Sequence, residues 1–113
     1  MATNLEQLRA LFLSYPGVTE APSYGTPGFR VRKKLLARLH QSEPAVVLRV
    51  ESVDEQQALM KMKPKAFYIT DHYAGYAMVL ARLSTTPRGM IREIFEAAWR
   101  RNASKKQLAE LDG

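Results

Sequence analysis

Apolar and polar positions along the chain alternate between two periods, and the changes of period mark its elements. Leu5, Leu8, Leu11 and Phe12 recur at helical spacing. Thr3-x-x-Glu6 has the spacing of a capping box, and Pro16-Gly17 ends the pattern, so a helix is predicted over Thr3–Ser14. From Tyr15 to His40 the period becomes two. A segment over Val18–Tyr24, interrupted by Pro22, reads as an edge strand, since proline cannot donate to a ladder. Phe29–Arg32 and Leu35–His40 read as the arms of a hairpin turning at Lys33-Lys34. In the second arm, Leu35, Ala37 and Leu39 are expected to oppose Leu36, Arg38 and His40. After a turn over Gln41–Pro44, Ala45–Glu51 alternates again.

Helical spacing returns at Ser52-x-x-Glu55, a second capping box, with Val53, Leu59 and Met62 as the expected inner face. Pro64 ends that helix. Phe67–Thr70 is a short strand, Asp71–Tyr76 an aromatic turn, and Ala77–Leu83 an uninterrupted apolar strand of the kind found inside a sheet. Thr86-Pro87 reads as an N-cap with proline at the first helical position. The helix that follows directs Met90, Ile91, Ile94, Phe95 and Ala98 inward, and Trp99 on its stripe belongs to the core or its rim. Ser104-x-x-Gln107 opens a last short helix carrying Leu108 and Leu111. The order α-β-β-β-β-α-β-β-α-α predicts an α+β fold, a two-layer domain over residues 1–113 with helices mainly on one face of an antiparallel sheet.

Composition narrows the class. The chain has 113 residues, enough for one hydrophobic core without staples. No cysteine is present, which excludes disulfides and thiolate chemistry and fits a reducing compartment. No apolar run approaches the ~20 residues of a membrane span, and Glu6 and Arg9 interrupt the N-terminal pattern as no signal peptide would. A cytoplasmic protein is the expectation. Lysine and arginine number 17 against 11 acidic residues, for a net charge of +6 and a pI near 9.8. That balance favours polyanion partners such as DNA.

Three sets of residues resemble the MmcQ/YjbR family of small proteins. The first is Pro16-Gly17-Val18 with Tyr24-Gly25-Thr26-Pro27, Phe29, Val31 and Lys34-Leu35. The second is Thr70-x-His72-Tyr73 with Gly75-Tyr76 and Val79–Leu83. The third is Ala98-Trp99-Arg100 leading to Ala103 and Leu108. The resemblance implies a double-wing, YjbR-like α+β fold, and members of the family are commonly labelled DNA-binding. Many relatives have glycine where this chain has Lys33, and proline where it has Asp71.

Two candidate sites follow. Arg30, Arg32, Arg38, Arg49 and Arg82 are all expected on strands opposite apolar sets, with Lys33 and Lys34 at the hairpin tip. Such a face can grip phosphates, arginine in bidentate fashion. The same alternation is what a solvated outer face laced by Glu43 and Glu51 produces. The second candidate is a small-ligand or enzymatic pocket of Tyr24, His72, Tyr73 and Tyr76, where the glycine-rich loop meets the aromatic turn. Those residues also suit a turn pinned by its own side chains. A third reading is a protein-interaction module using an exposed sheet edge. No catalytic motif, cofactor fingerprint or metal-ligand spacing is present: Gly25-Thr26-Pro27-Gly28 leads into a strand instead of a helix N-terminus, and two histidines lack suitably spaced carboxylates. The expectation is a non-enzymatic nucleic-acid-binding module.

Overall fold

The sheet is built outward from the Pro/Gly-rich stretch, which folds into its first two hairpins. In the computed structural model, which describes residues 4–23, 25–40 and 44–113, strand β1 (Thr19–Ser23) pairs with β2 (Thr26–Val31), and β2 with β3 (Lys34–His40). The chain continues through β4 (Ala45–Arg49), crosses by helix α2 (Val53–Met62) to β5 (Phe67–Tyr68), and returns as β6 (Met78–Arg82). Among the described residues the sheet is six-stranded and antiparallel, in the order β1-β2-β3-β4-β6-β5. Pro22 lies on β1 at one edge, where its missing N–H leaves no ladder bond unmade. The apolar run of β6 lies between β4 and β5, buried as its composition predicts.

Helices α1 (Leu5–Leu13) and α3 (Arg88–Asn102) cover the inner face, and α4 (Lys105–Asp112) closes the chain. Leu8 and Phe12 of α1 meet Ile91, Phe95, Ala98 and Trp99 of α3 over Phe29, Leu39, Val46, Leu48 and Val79 of the sheet. Phe12 stacks on Phe95 at 4.2 Å between centroids and meets Phe29 edge-on at 5.1 Å, geometries that aromatic quadrupoles favour. Trp99 is fully buried and donates its indole N–H to the Pro16 carbonyl at 2.9 Å. Gly17 follows at φ +75°, and a Cβ there would lie 2.1 Å from Nε2 of Gln107 on α4. Glycine is therefore favoured by the backbone angle, and a larger residue would also displace the end of the Gln107 side chain.

Several local expectations are corrected. Helix α1 is capped by Asn4, not Thr3: Asn4 accepts from the Gln7 N–H at 2.8 Å while Gln7 reaches back to the Asn4 N–H. Thr3 and the turn residues Gln41, Ser42 and Glu43 lie outside the described residues. Ser52 does cap α2, but Glu55 reaches the Glu51 N–H instead of closing the box on Ser52. Of the inner face expected for α2, only Leu59 is buried; Met62 is 62% exposed and Val53 also faces outward, while Gln56 is fully buried. Pro87, rather than Thr86, occupies the N-cap of α3, and its carbonyl accepts from Met90 and Ile91. The buried Thr86 hydroxyl makes no hydrogen bond among the described residues. The Ser104–Gln107 capping box of α4 forms as expected.

One polar link ties the N-terminal segment to α3. The Tyr15 hydroxyl donates to Glu96 Oε1 at 2.8 Å, and Glu96 also accepts from Arg100 at 3.0 Å. Burial, then the bond to Glu96, pushes the Tyr15 phenol up to about 12. The same bond, followed by that from Arg100, holds the Glu96 carboxyl below its ordinary range. A phenol whose folded pKa is raised contributes stability that is complete below its unfolded value and is lost as pH rises through the folded one. Stability should therefore fall between about pH 10 and 12, and more steeply than in Tyr15→Phe. Denaturant melts of both proteins across that window check this; parallel curves would show that Tyr15 does not drive the loss.

Candidate functional site

The outer face of the sheet is where the structure departs most from simple alternation. Arg30 pairs with Leu35 but Phe29 pairs with Ala37, so Leu36 is an extra residue, a β-bulge in β3. The expected set Leu35, Ala37 and Leu39 therefore breaks: Leu36, Ala37 and Leu39 enter the main core, while Leu35 turns to the outer face. Gly28 makes room for it, since a Cβ there would lie 3.2 Å from Leu35 Cδ1. Ala45, Val47 and Leu80 form a second, smaller cluster on this face, roofed by Tyr73 and flanked by Tyr68 and Met78.

Tyr73 belongs to a 3-10 turn, Asp71–Tyr73, that folds the aromatic segment down onto the sheet. Gln56 of α2 holds it there. Its buried amide nitrogen lies 3.1, 2.8 and 2.7 Å from the carbonyls of Tyr73, Tyr76 and Met78, so one side chain clamps both ends of the turn. Gln56 was readable only as a polar residue occupying an apolar slot, one turn before Leu59 and Met60.

Between this turn and the bulge lies a cleft of about 330 Å3, lined by Leu35, Arg38, His72, Tyr73, Tyr76 and Met78. Arg38 forms its floor and is only 8% exposed; it donates to Thr26 Oγ1 at 3.1 Å and to the Tyr73 hydroxyl. Its guanidinium carbon is 6.0 Å from the Tyr73 ring centroid. His72 meets Tyr73 edge-on at 4.7 Å and is exposed, and Tyr76 is 65% exposed at the rim. Three of the four residues expected to form a pocket are thus brought together; Tyr24 lies outside the described residues. The pocket gains an arginine that sequence reasoning placed on a phosphate-gripping face. His40 stands at the opposite end of β3 from Leu35 and takes no part. Among the described residues no cluster of three or more histidines and carboxylates is placed to hold a metal ion.

The basic residues expected on one face separate into three places. Arg38 floors the cleft. Arg82 lies at the far end of β6, its guanidinium carbon 4.2 Å from the Tyr68 ring centroid and its Nη1 donating to the Lys65 carbonyl at 3.2 Å. The remainder gather at the near end. Arg32 is not on a strand: it and Lys33, instead of the expected Lys33 and Lys34, are the two turn residues of the β2–β3 hairpin, at φ 48° and 72°, and Lys34 opens β3. Positive φ at both positions is the twist-matched two-residue hairpin geometry. Arg32, Lys33 and Lys34 are exposed and form no ion pair with any described residue. Arg30 lies just behind on β2. Arg49 donates Nε to the Leu35 carbonyl at 2.5 Å. Burial, then the charge of Arg101 at the end of α3, lowers the Arg49 pKa. One end of the molecule thus crowds cations against one another.

With this geometry in hand, comparison with known proteins places the chain. The YjbR family model matches residues 13–101. The chain belongs to the YjbR family. A solved structure similar to this YjbR chain is the Deinococcus radiodurans protein DR2400, described by its DUF419 domain, with a TM-score of 0.76 at 18% identity. The alignment covers 98% of this chain and 89% of that one, so the α+β architecture is shared along nearly all of it. No curated protein sequence matches. The matched span of the YjbR domain includes the hairpin turn, the cleft and nearly all of α3, but not α4. The φ of 72° at Lys33 is one that glycine adopts without penalty. Among the described residues no helix is long and apolar enough to cross a membrane.

Proposed function

We propose that this chain is a non-enzymatic, cytoplasmic binding module that contacts the phosphate backbone of nucleic acid through the Arg32-Lys33 turn and the adjoining Lys34, without strong sequence preference. The observation that carries this reading is Lys33. A lysine in the left-handed region costs roughly 1 kcal/mol that glycine would not, and it points an unpaired ammonium outward between two further exposed cations. Backbone strain at an exposed, charged position is a marker of function before it is a marker of stability. Arg30, Arg49 and Arg101 behind the turn add to the local positive field, which steers a polyanion and releases its counterions. Phosphate contacts of this kind position a protein on nucleic acid without reading bases.

Lys33→Gly separates folding from binding, because glycine relieves the strain while removing the charge. Its thermal stability should equal or exceed that of the wild type by up to about 1 kcal/mol. Its affinity for a labelled duplex in dilute salt should fall on the order of tenfold, and the slope of log affinity against log salt should become shallower by about 0.9. Absence of wild-type binding in dilute salt, or a slope unchanged by Lys33→Gly, would overturn the proposal.

A further inference from the structure

We infer that the cleft beneath Tyr76 receives an unpaired base of a single strand whose backbone runs over the basic turn, an inference that rests on the preceding reading and adds strand type to it. The cleft and the turn are contiguous. Lys34, the first residue of β3 after the turn, precedes Leu35 of the cleft wall, and Arg49, bonded to the Leu35 carbonyl, pairs across the sheet with Met78 of the opposite wall. A strand lying on Lys33 and Lys34 therefore carries a base to the mouth of the cleft.

The lining suits a base better than an extended aliphatic chain. Tyr76 and His72 are exposed aromatic side chains at the rim, while Leu35 and Met78 supply apolar sides. At about 330 Å3 the cleft is near the lower limit of ligand pockets and matches a small ring system. At its floor lie the Arg38 guanidinium, bonded to Thr26 and Tyr73, and the Tyr73 hydroxyl, groups of the kind that hydrogen-bond the edge of a base. Every base has a π-face, so stacking here is tolerant of sequence. A paired base inside a duplex cannot enter, which makes the cleft a discriminator between strand types.

The experiment compares an oligothymidine, the same oligomer with abasic sites, and a duplex of equal length. The proteins are the wild type, Tyr76→Ala, Tyr76→Trp and Lys33→Gly. Wild type should prefer the oligothymidine, and abasic sites should weaken its binding about tenfold. Tyr76→Ala should lose about the same factor on oligothymidine, be insensitive to abasic sites, and bind duplex within about twofold of wild type. Tyr76→Trp should restore single-strand binding, which separates ring stacking from any structural effect. Lys33→Gly should weaken every ligand. Equal loss on duplex and single strand in Tyr76→Ala, or no loss on either, would overturn the cleft assignment while leaving the backbone site standing. Failure of the wild type to bind any of the three would overturn both.

Discussion

Trp99→Ala is expected to be the most destabilising single substitution in the α3 stripe, lowering stability by about 4 kcal/mol. Burying a complete indole and then deleting it removes apolar transfer energy and leaves a cavity, which together cost about 3–5 kcal/mol for tryptophan or phenylalanine. Trp99 is fully buried against Tyr15, with ring centroids 5.5 Å apart, and its N–H satisfies the Pro16 carbonyl at the turn that brings the chain into the sheet. A domain of this size is expected to hold only ~5–15 kcal/mol in total. The melting temperature should therefore fall on the order of 15 °C. Trp99→Phe should cost less, about 1–2 kcal/mol, because it keeps most of the burial and loses chiefly the donor. Thermal melts followed by circular dichroism compare the three proteins. A loss below about 1 kcal/mol in Trp99→Ala would show that the indole is not what joins α3 to the N-terminal turn.

The second large effect is expected at Gln56. Gln56→Leu keeps the volume but removes the one donor group facing the carbonyls of Tyr73, Tyr76 and Met78. The cost is not three full hydrogen bonds. The Tyr73 carbonyl also accepts from the Tyr76 N–H, and the Tyr76 carbonyl from the Met78 N–H, so both keep a partner. A net loss of about 2 kcal/mol follows from the desolvation penalty of imperfectly satisfied buried carbonyls. Amide hydrogen exchange should localise the change, with protection lost at Tyr73 to Met78 and retained in β2–β4. Global loss of protection would mean that Gln56 supports the whole core; no loss would mean that the turn holds itself. Because the Asp71–Tyr73 turn roofs the outer cluster and forms one wall of the cleft, the same substitution should loosen that wall.

The larger elements were legible in the chain because their signals are repeated. Ile91, Phe95, Ala98 and Trp99 declare a helix four times over, and Val46, Leu48 and Val50 declare a strand three times. Features depending on a single residue were not. Leu36 shifts β3 by one position, and no alternation pattern can say which of two adjacent leucines is the extra one. Thr3 and Asn4 are both good caps one residue apart, each with a suitable partner three residues on, so propensity alone does not choose between them. Arg38 on a strand reads as a surface cation because charged residues are rarely buried. Its burial becomes visible only when Tyr73 and Thr26 are seen to supply acceptors. The cleft was half legible: the aromatic turn stood out in composition, but its floor and its clamp came from β3 and α2.

The bond from Trp99 to Pro16 and that from Tyr15 to Glu96 join residues separated by 83 and 81 positions. The β1–β2–β3–β4 meander is a set of near-neighbour hairpins that can close early at small entropic cost, whereas these two links span 83 and 81 of the 113 residues. They can form only when α3 has arrived, after the meander has been made. An emerging chain would hold its hairpins and its basic turn before the closure that makes the domain cooperative. Until then Phe12, Phe29 and the inner face of the sheet have no partner from α3, and the nascent domain depends on the speed with which its last third follows its first.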